Sequence, residues 1–343
     1  MKSILLALLC FPVLLVAQSL SKNSVNQYET GSKAKLIINT RFANVYFTGS
    51  DSKTVKVETQ YRIKSKSNKK ATEQLDRAKV KVEAKGNTVQ IGYDFQSGEG
   101  HDNIVIETEI RISGPLNTDM DANCTYGNLI INRTQGICKL GVRYGLLQVS
   151  DLNSESNDID IAYSTNSSLK SITKTICDVD YSTVIIQSVG KLDLTSKYSV
   201  IELSKVDELK LHSEGDKLAM DVMSTISGSS KLSSITIKGL SKAFDMDSEY
   251  GNINISQVDS KFSSIRINAS YAQLGLGFNK NTGFGFNIKS VYGSINLPRS
   301  GATIQSDIEA RNTRTLNGEM NGGGKANVII STNYGNTDIH ITN

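Results

Sequence analysis

From residue 117 onward the chain repeats one pattern: apolar and polar residues alternate, and the phase flips at a tyrosine. With each tyrosine counted as zero, apolar side chains precede it at even offsets. Cys138, Leu140 and Val142 lead to Tyr144, Ile159 and Ile161 to Tyr163, Cys177 and Val179 to Tyr181, and Leu192 and Leu194 to Tyr198. Beyond the tyrosine they stand at plus three and plus five, as in Leu129 and Ile131, Leu147 and Val149, Ile201 and Leu203, and Ile253 and Ile255. Period two is the mark of a strand with one buried face. A straight strand cannot exchange its faces, so the tyrosine marks a corner between two strands. The glycine that often follows suits the backbone angles of such a corner, because it has no Cβ to oppose them. Serine or alanine at the same place implies a mild corner.

Nine tyrosines share this frame: Tyr126, Tyr144, Tyr163, Tyr181, Tyr198, Tyr250, Tyr271, Tyr292 and Tyr334. Their spacings run 18, 19, 18, 17, 52, 21, 21 and 42, one or more units of roughly 20 residues. Self-similarity at that period points to a solenoid whose units bury their apolar faces on one another. The expected fold is therefore all-β, a single-stranded parallel β-helix with about 20 residues per rung, successive rungs stacking in sequence order ~4.8 Å apart. The marker lapses between Tyr198 and Tyr250, with Met220 and Met223 near the expected place, and Gly322 to Gly324 sit in a looped-out stretch. Each tyrosine keeps the parity of the buried residues before it, which places the ladder inside the stack. An outer ladder would instead offer rings to sugars.

Residues 20–115 read as an irregular N-terminal β cap. Short strands around Leu36, Val45, Val55, Val80, Val89 and Ile104 to Ile112 are separated by polar linkers, with one helix over residues 69–79. Gly114-Pro115 marks the boundary with a solenoid spanning 116–343. Residues 1–19 form a signal peptide: Lys2, an apolar run from Ile4 to Val16, and a small-residue site at Ala17 or Ser19. The protein is thus expected to be exported, to the periplasm, the outer-membrane surface or the exterior, with no transmembrane helix in the mature chain.

The scarcity of proline and the abundance of threonine, isoleucine and valine agree with β structure. A net charge of +4 is too small to suggest nucleic-acid binding. Residues 53–85 nevertheless hold eleven Lys/Arg against four Asp/Glu, densest from Arg62 to Lys70. That segment reads as a solvated connection or as a contact for anionic polymers. The mature cysteines Cys124, Cys138 and Cys177 fall at even offsets, so they point inward as small apolar groups. No motif calls for a metal or cofactor, and no catalytic residue is assigned. Asp160 and Asp178 share offset minus three on consecutive rungs and should face outward about 5 Å apart. Such a pair could hold a cation or attack a glycosidic bond, but is also explained as two solvated carboxylates.

The signal peptide, the segment Lys35 to Tyr46 (Lys-Leu-Ile-Ile-Asn-Thr-Arg-Phe-Ala-Asn-Val-Tyr) and the repeated Tyr-Gly-x-Ile-x-Ile units resemble the "putative adhesin" family of secreted β-helical proteins common in Bacteroidetes-type bacteria. The resemblance implies a right-handed β-helix at the surface or in the periplasm, and it transfers no catalytic residues. The expected function is a non-enzymatic cell-envelope scaffold for adhesion, with an envelope or host polysaccharide or a surface protein as partner. The alternative is a polysaccharide-active lyase or hydrolase using the outward acids.

Overall fold

The computed structural model describes residues 18–65, 68–95 and 105–342; residues 1–17 of the expected leader, and His101, lie outside them. Strands β1 (Gln18–Glu29), β2 (Lys33–Arg41), β3 (Asn44–Ser50) and β4 (Thr54–Ser65) precede helix α1 (Asn68–Arg77). After β5 (Lys81–Lys85), β6 (Thr88–Asp94) and β7 (Val105–Pro115) come the repeating strands. These are β8 (Asn117–Thr125), β9 (Leu129–Thr134), β10 (Cys138–Arg143), β11 (Leu147–Leu152), β12 (Asn157–Ala162) and β13 (Ser167–Asp180). They continue as β14 (Thr183–Lys197), β15 (Val200–Glu214), β16 (Lys217–Lys231), β17 (Ser234–Val258) and β18 (Ser264–Asn279). The chain closes with β19 (Phe284–Val291), β20 (Ile295–Asn296), β21 (Ala302–Ala310), β22 (Thr313–Met320), β23 (Asn327–Asn333) and β24 (Thr337–Thr342). The protein is all-β and solenoid-like, with its strands joined in one 24-stranded sheet.

From β8 to β18 each strand pairs in parallel with the strand one repeat on. Thr183 is level with Val200, Val200 with Lys217 and Lys217 with Ser234, an advance of 17 residues per turn. The inward residues of β14 are Val184, Ile186, Val189, Leu192, Leu194 and Ser196. Consecutive outward positions at Gln187–Ser188 and Gly190–Lys191 interrupt the alternation, so each turn has two further bends besides the tyrosine corner. The core is a continuous column of such aliphatic residues. The three cysteines lie in it, free and buried as their parity requires.

Two features depart from the sequence expectations. The first is the corner. The backbone turns at the tyrosine itself, which adopts positive φ between 49° and 56° at all nine positions, whichever residue follows. A left-handed corner throws the side chain out of the bend and breaks the parity rule, so the ladder is external, with rings 44–54% exposed. Glycine at the next position serves close approach: a Cβ on Gly145 would lie 1.9 Å from the Gly127 carbonyl oxygen, and one on Gly127 as near to that of Ala43. Where serine follows, it turns inward and bridges rungs. Ser164 N–H donates to Ser182 Oγ (3.0 Å), Ser182 N–H to Ser199 Oγ (3.1 Å) and Asp216 N–H to Ser233 Oγ (3.1 Å). Tyr-Gly-Asn corners reach the same end by an amide: Leu146 N–H donates to Asn128 Oδ1, and Asn128 N–H to Asn44 Oδ1, both at 3.0 Å.

The marker does not lapse in the 52-residue gap. Gly215 (φ 71°) and Leu232 (φ 54°) hold the corner there, while Met220 and Met223 are buried core. Phe42 (φ 63°) is the corner of the β2–β3 turn.

The second departure is stacking order. β23 pairs in parallel with β18 on one side and with β19 on the other, so the last turn of the sequence is inserted beneath the one before it. The opening of the chain does the same. β2 lies between β6 and β8, and β3 between β7 and β9. Antiparallel strands close both ends: β4 and β1 over β7, β5 over β6, and the β21–β22 hairpin over β19. An open stack of turns leaves an unpaired strand edge at each end, and these antiparallel strands cover the edges of the terminal turns.

Candidate functional site

The corner arrays the tyrosines along one line of the molecule. Phe42, Tyr126, Tyr144, Tyr163, Tyr181 and Tyr198 stack in order with centroids 4.9–5.3 Å apart and planes within 21°. Gly215 and Leu232 interrupt the line. A second run then follows the stacking order, not the sequence: Tyr250, Tyr271, Tyr334, Tyr292, at 4.7–4.9 Å. Arg41 lies alongside the first two rings, its guanidinium carbon 4.9 Å from the Phe42 centroid and 5.5 Å from that of Tyr126. Rings at this spacing hide their faces against each other and show edges to water. A sugar, which packs its C–H face on an aromatic face, therefore finds a platform only where the stack ends.

Beside the ladder, the strand before each corner presents three outward columns. Asp160 is level with Asp178, then come Thr195, His212, Ser229, Asp247 and Asn268. The two aspartates stand together as expected. Arg143, from the preceding turn, pairs with Asp160 at 3.3 Å. Burial, then repulsion from Asp160 and Asp158, raises the Asp178 carboxyl above the ordinary range, against a hydrogen bond from Thr195. No group of three or more acids, histidines or cysteines suited to a metal occurs among the described residues. Elsewhere the face neutralises itself, through Lys210–Asp193 (3.1 Å) and Lys197–Glu214 (3.6 Å). Such exposed pairs contribute ~0–1 kcal/mol each.

Where the outward side chains shrink to Ser229, Ser270 and Ser331, the face is hollowed into a groove of about 660 Å³, bordered by Lys231, Asp247 and Tyr271. Beneath it the inner column turns polar, as Ser213, Ser230 and Ser248 replace the aliphatic residues of earlier turns. One turn away Asp216 is buried, and its carboxylate accepts from Ser196 Oγ (2.6 Å), Ser213 Oγ (2.7 Å), Ser199 N–H (2.7 Å) and Glu214 N–H (3.2 Å). Its charge is met entirely by donors, which is how a buried carboxylate is tolerated.

In the basic segment Lys56 pairs with Glu58, Arg62 with Glu109 (3.7 Å) and Lys64 with Glu107 (3.3 Å). No helix among the described residues is long and apolar enough to cross a membrane. The three thiols are held protonated by burial, Cys124 pushed up to about 11 and Cys138 to about 12.

Together the fold and this face define an all-β solenoid-like protein with an aromatic-edged polar surface. No family model and no curated protein matches the chain. Among solved structures it is similar to a "putative cell adhesion protein" from Clostridium sporogenes, at 15% identity over 94% of this chain and 100% of that one (TM-score 0.18). A "putative adhesin" from Bacteroides fragilis aligns at 13% identity over 94% and 97% (TM-score 0.24). A "putative lipid binding protein" from Parabacteroides distasonis aligns at 10% over 94% and 97% (TM-score 0.28). The adhesin names are those of the family that the sequence resembles.

Proposed function

We propose that the protein is an exported, non-enzymatic scaffold of the cell envelope or surface, built as a right-handed parallel β-helix whose residues 20–115 cap one end, and that it acts in adhesion. The observation that carries this reading is the outward face itself: a long, flat, self-neutralised array of hydroxyl, amide and carboxylate groups at strand spacing. Such a face suits a polar polymer lying along it, an envelope or host polysaccharide, or a partner protein's surface. Nucleic acid is not an expected partner. Surface proteolysis of intact cells, with fractionation, tests the reading. Digestion of the protein supports display, and complete protection with recovery in the periplasm overturns a role in adhesion.

One observation favours the enzymatic alternative, the raised carboxyl of Asp178 beside Asp160, which is the condition of a general acid. Incubation with a panel of anionic and neutral polysaccharides decides it. Cleavage by wild type that is lost in the Asp160→Asn/Asp178→Asn double variant would establish the enzyme, and no cleavage across the panel removes it.

A further inference from the structure

The second aromatic run ends at Tyr292. Among the described residues its one ring neighbour is Tyr334, at 4.7 Å and within 1° of parallel. β23, which carries the approach to Tyr334, lies on one edge of β19, and the β21–β22 hairpin lies on the other. The hairpin is therefore on the side of Tyr292 away from its stacking partner, and Tyr292 N–H donates to the Asn312 carbonyl there (2.8 Å). Between ring and hairpin opens a pocket of about 490 Å³, lined by Tyr292, Ser294, Glu309, Arg311 and Asn336 among others.

The charges in this pocket are unequal in their commitments. Arg314 is held by both oxygens of Asp307 at 2.9 Å and donates to the Ile295 carbonyl at 3.2 Å. Glu309 is level with Arg314 across the hairpin and adds to the field that favours its charge. Arg311 has no ion pair among the described residues and is exposed at the hairpin tip, where it adopts a positive φ of 52°. Asn336 Oδ1 accepts from Ser294 N–H (3.0 Å) and stands 2.9 Å from Ser294 Oγ, which leaves its amide N–H groups to point elsewhere.

We propose that this pocket binds an acidic sugar, the C–H face of the ring on Tyr292, its carboxylate on Arg311 and its hydroxyls on Ser294 and Asn336. An aromatic platform beside polar groups selects a ring with one apolar and one hydroxylated side. A guanidinium left without a counter-ion selects a carboxylate, which it can meet with two parallel hydrogen bonds. The inference deepens the adhesive reading by giving the scaffold a ligand class. It is tested on purified protein, so its failure is separate from any failure of surface display.

Calorimetric titration and saturation-transfer NMR with tri-galacturonate, a hyaluronan tetrasaccharide and neutral cellotriose are the assay. At least one uronate is expected to bind, and cellotriose at least about tenfold more weakly, since a charge-assisted hydrogen bond is the discriminating contact. Arg311→Gly, which relieves the positive φ and preserves the turn, should lower uronate affinity about tenfold or more. Tyr292→Leu should do likewise without disturbing the corner, because Leu232 already occupies one at φ 54°. Tyr163→Leu, inside the other run, should leave binding unchanged. Absence of uronate binding, equal binding of cellotriose, or affinity unaltered by Arg311→Gly or Tyr292→Leu in a folded protein each overturns the proposal.

Discussion

Replacing Tyr181 by alanine and by glycine separates the two energies that meet at every corner. The ring stacks on Tyr163 at 5.3 Å and on Tyr198 at 5.2 Å, while the backbone stands at φ 49°. Each stacked pair contributes ~0.5–1.5 kcal/mol beyond its buried area, so either substitution loses ~1–3 kcal/mol. The left-handed conformation costs any residue with a Cβ ~1–2 kcal/mol, and alanine keeps that cost. Glycine escapes it but gives back ~0.5–1 kcal/mol through the freedom of its unfolded chain. The glycine variant should therefore be the more stable of the two by about 1 kcal/mol, the reverse of their order in an ordinary strand. The native Gly215 corner, two turns on, shows that the fold accepts it. Urea titration followed by far-ultraviolet circular dichroism measures the difference, which is read from the midpoint provided the slope is unchanged. An alanine variant as stable as the glycine variant, or more so, would refute the idea that the tyrosine is strained and that stacking is what holds it there.

Asp178→Asn should stabilise the protein at pH 7. The folded carboxyl titrates above its unfolded value, so the native state binds the proton more tightly and the ionised form opposes folding; the gain should vanish as pH falls below the unfolded carboxylate value of ~4. Thermal melts of both proteins across that range are the check, and a gain that persists at pH 3 contradicts the assignment. Asp216→Ala should cost ~3 kcal/mol or more, because it strands the donors of Ser196, Ser199 and Ser213 in a buried site, whereas Asp216→Ser, the residue of neighbouring turns, should cost less. Cys124, Cys138 and Cys177 should resist a thiol reagent in the folded protein at pH 8 and react on addition of denaturant, burial having raised all three. Ending the chain at residue 326 removes a layer from between β18 and β19, and native-state hydrogen exchange should then show lost protection in β18 and β19 well before β14 and β15.

Much of this architecture was legible because period two is a geometric demand on every strand. The inward cysteines and the register of Asp160 with Asp178 follow from it, and the helix near residues 69–79 stands out as a stretch of helix-forming residues without that alternation. The direction of the tyrosines did not follow, since parity counting assumes an extended backbone and a left-handed residue violates that assumption at the one position where it matters. The corners at Phe42, Gly215 and Leu232 were hidden by their identity, yet a signal existed. Asn44 stands two residues after Phe42 as Asn128 does after Tyr126, and Asp216 and Ser233 follow their corners as Ser199 follows Tyr198. The inserted last turn left no mark in the spacing, because a 42-residue gap is the same whether a turn is skipped or the chain doubles back. The Tyr292 pocket depends on that reversal, so residue order alone could not assemble it.

The division of labour within a turn explains why this fold can carry function in places its repeat does not mark. A turn needs three things: an inward aliphatic column, one residue able to hold a left-handed corner, and an acceptor just past it to bridge the next turn. Tyrosine meets the second need at the cost of strain that its neighbours offset by stacking, so an isolated tyrosine gains less than one in a run. The ladder is thereby a cooperative structural device, and its interior faces are already occupied. On the proposed reading, ligand recognition falls instead to positions where the repeat is interrupted. The shrinkage to serine that opens the 660 Å³ groove is one such place, and the last ring, whose partner on one side is a hairpin instead of another tyrosine, is the other. Substitutions along the middle of the ladder should move stability and leave binding alone, while those at its end should move binding more than stability. That contrast separates an aromatic column built for the fold from one built for a ligand.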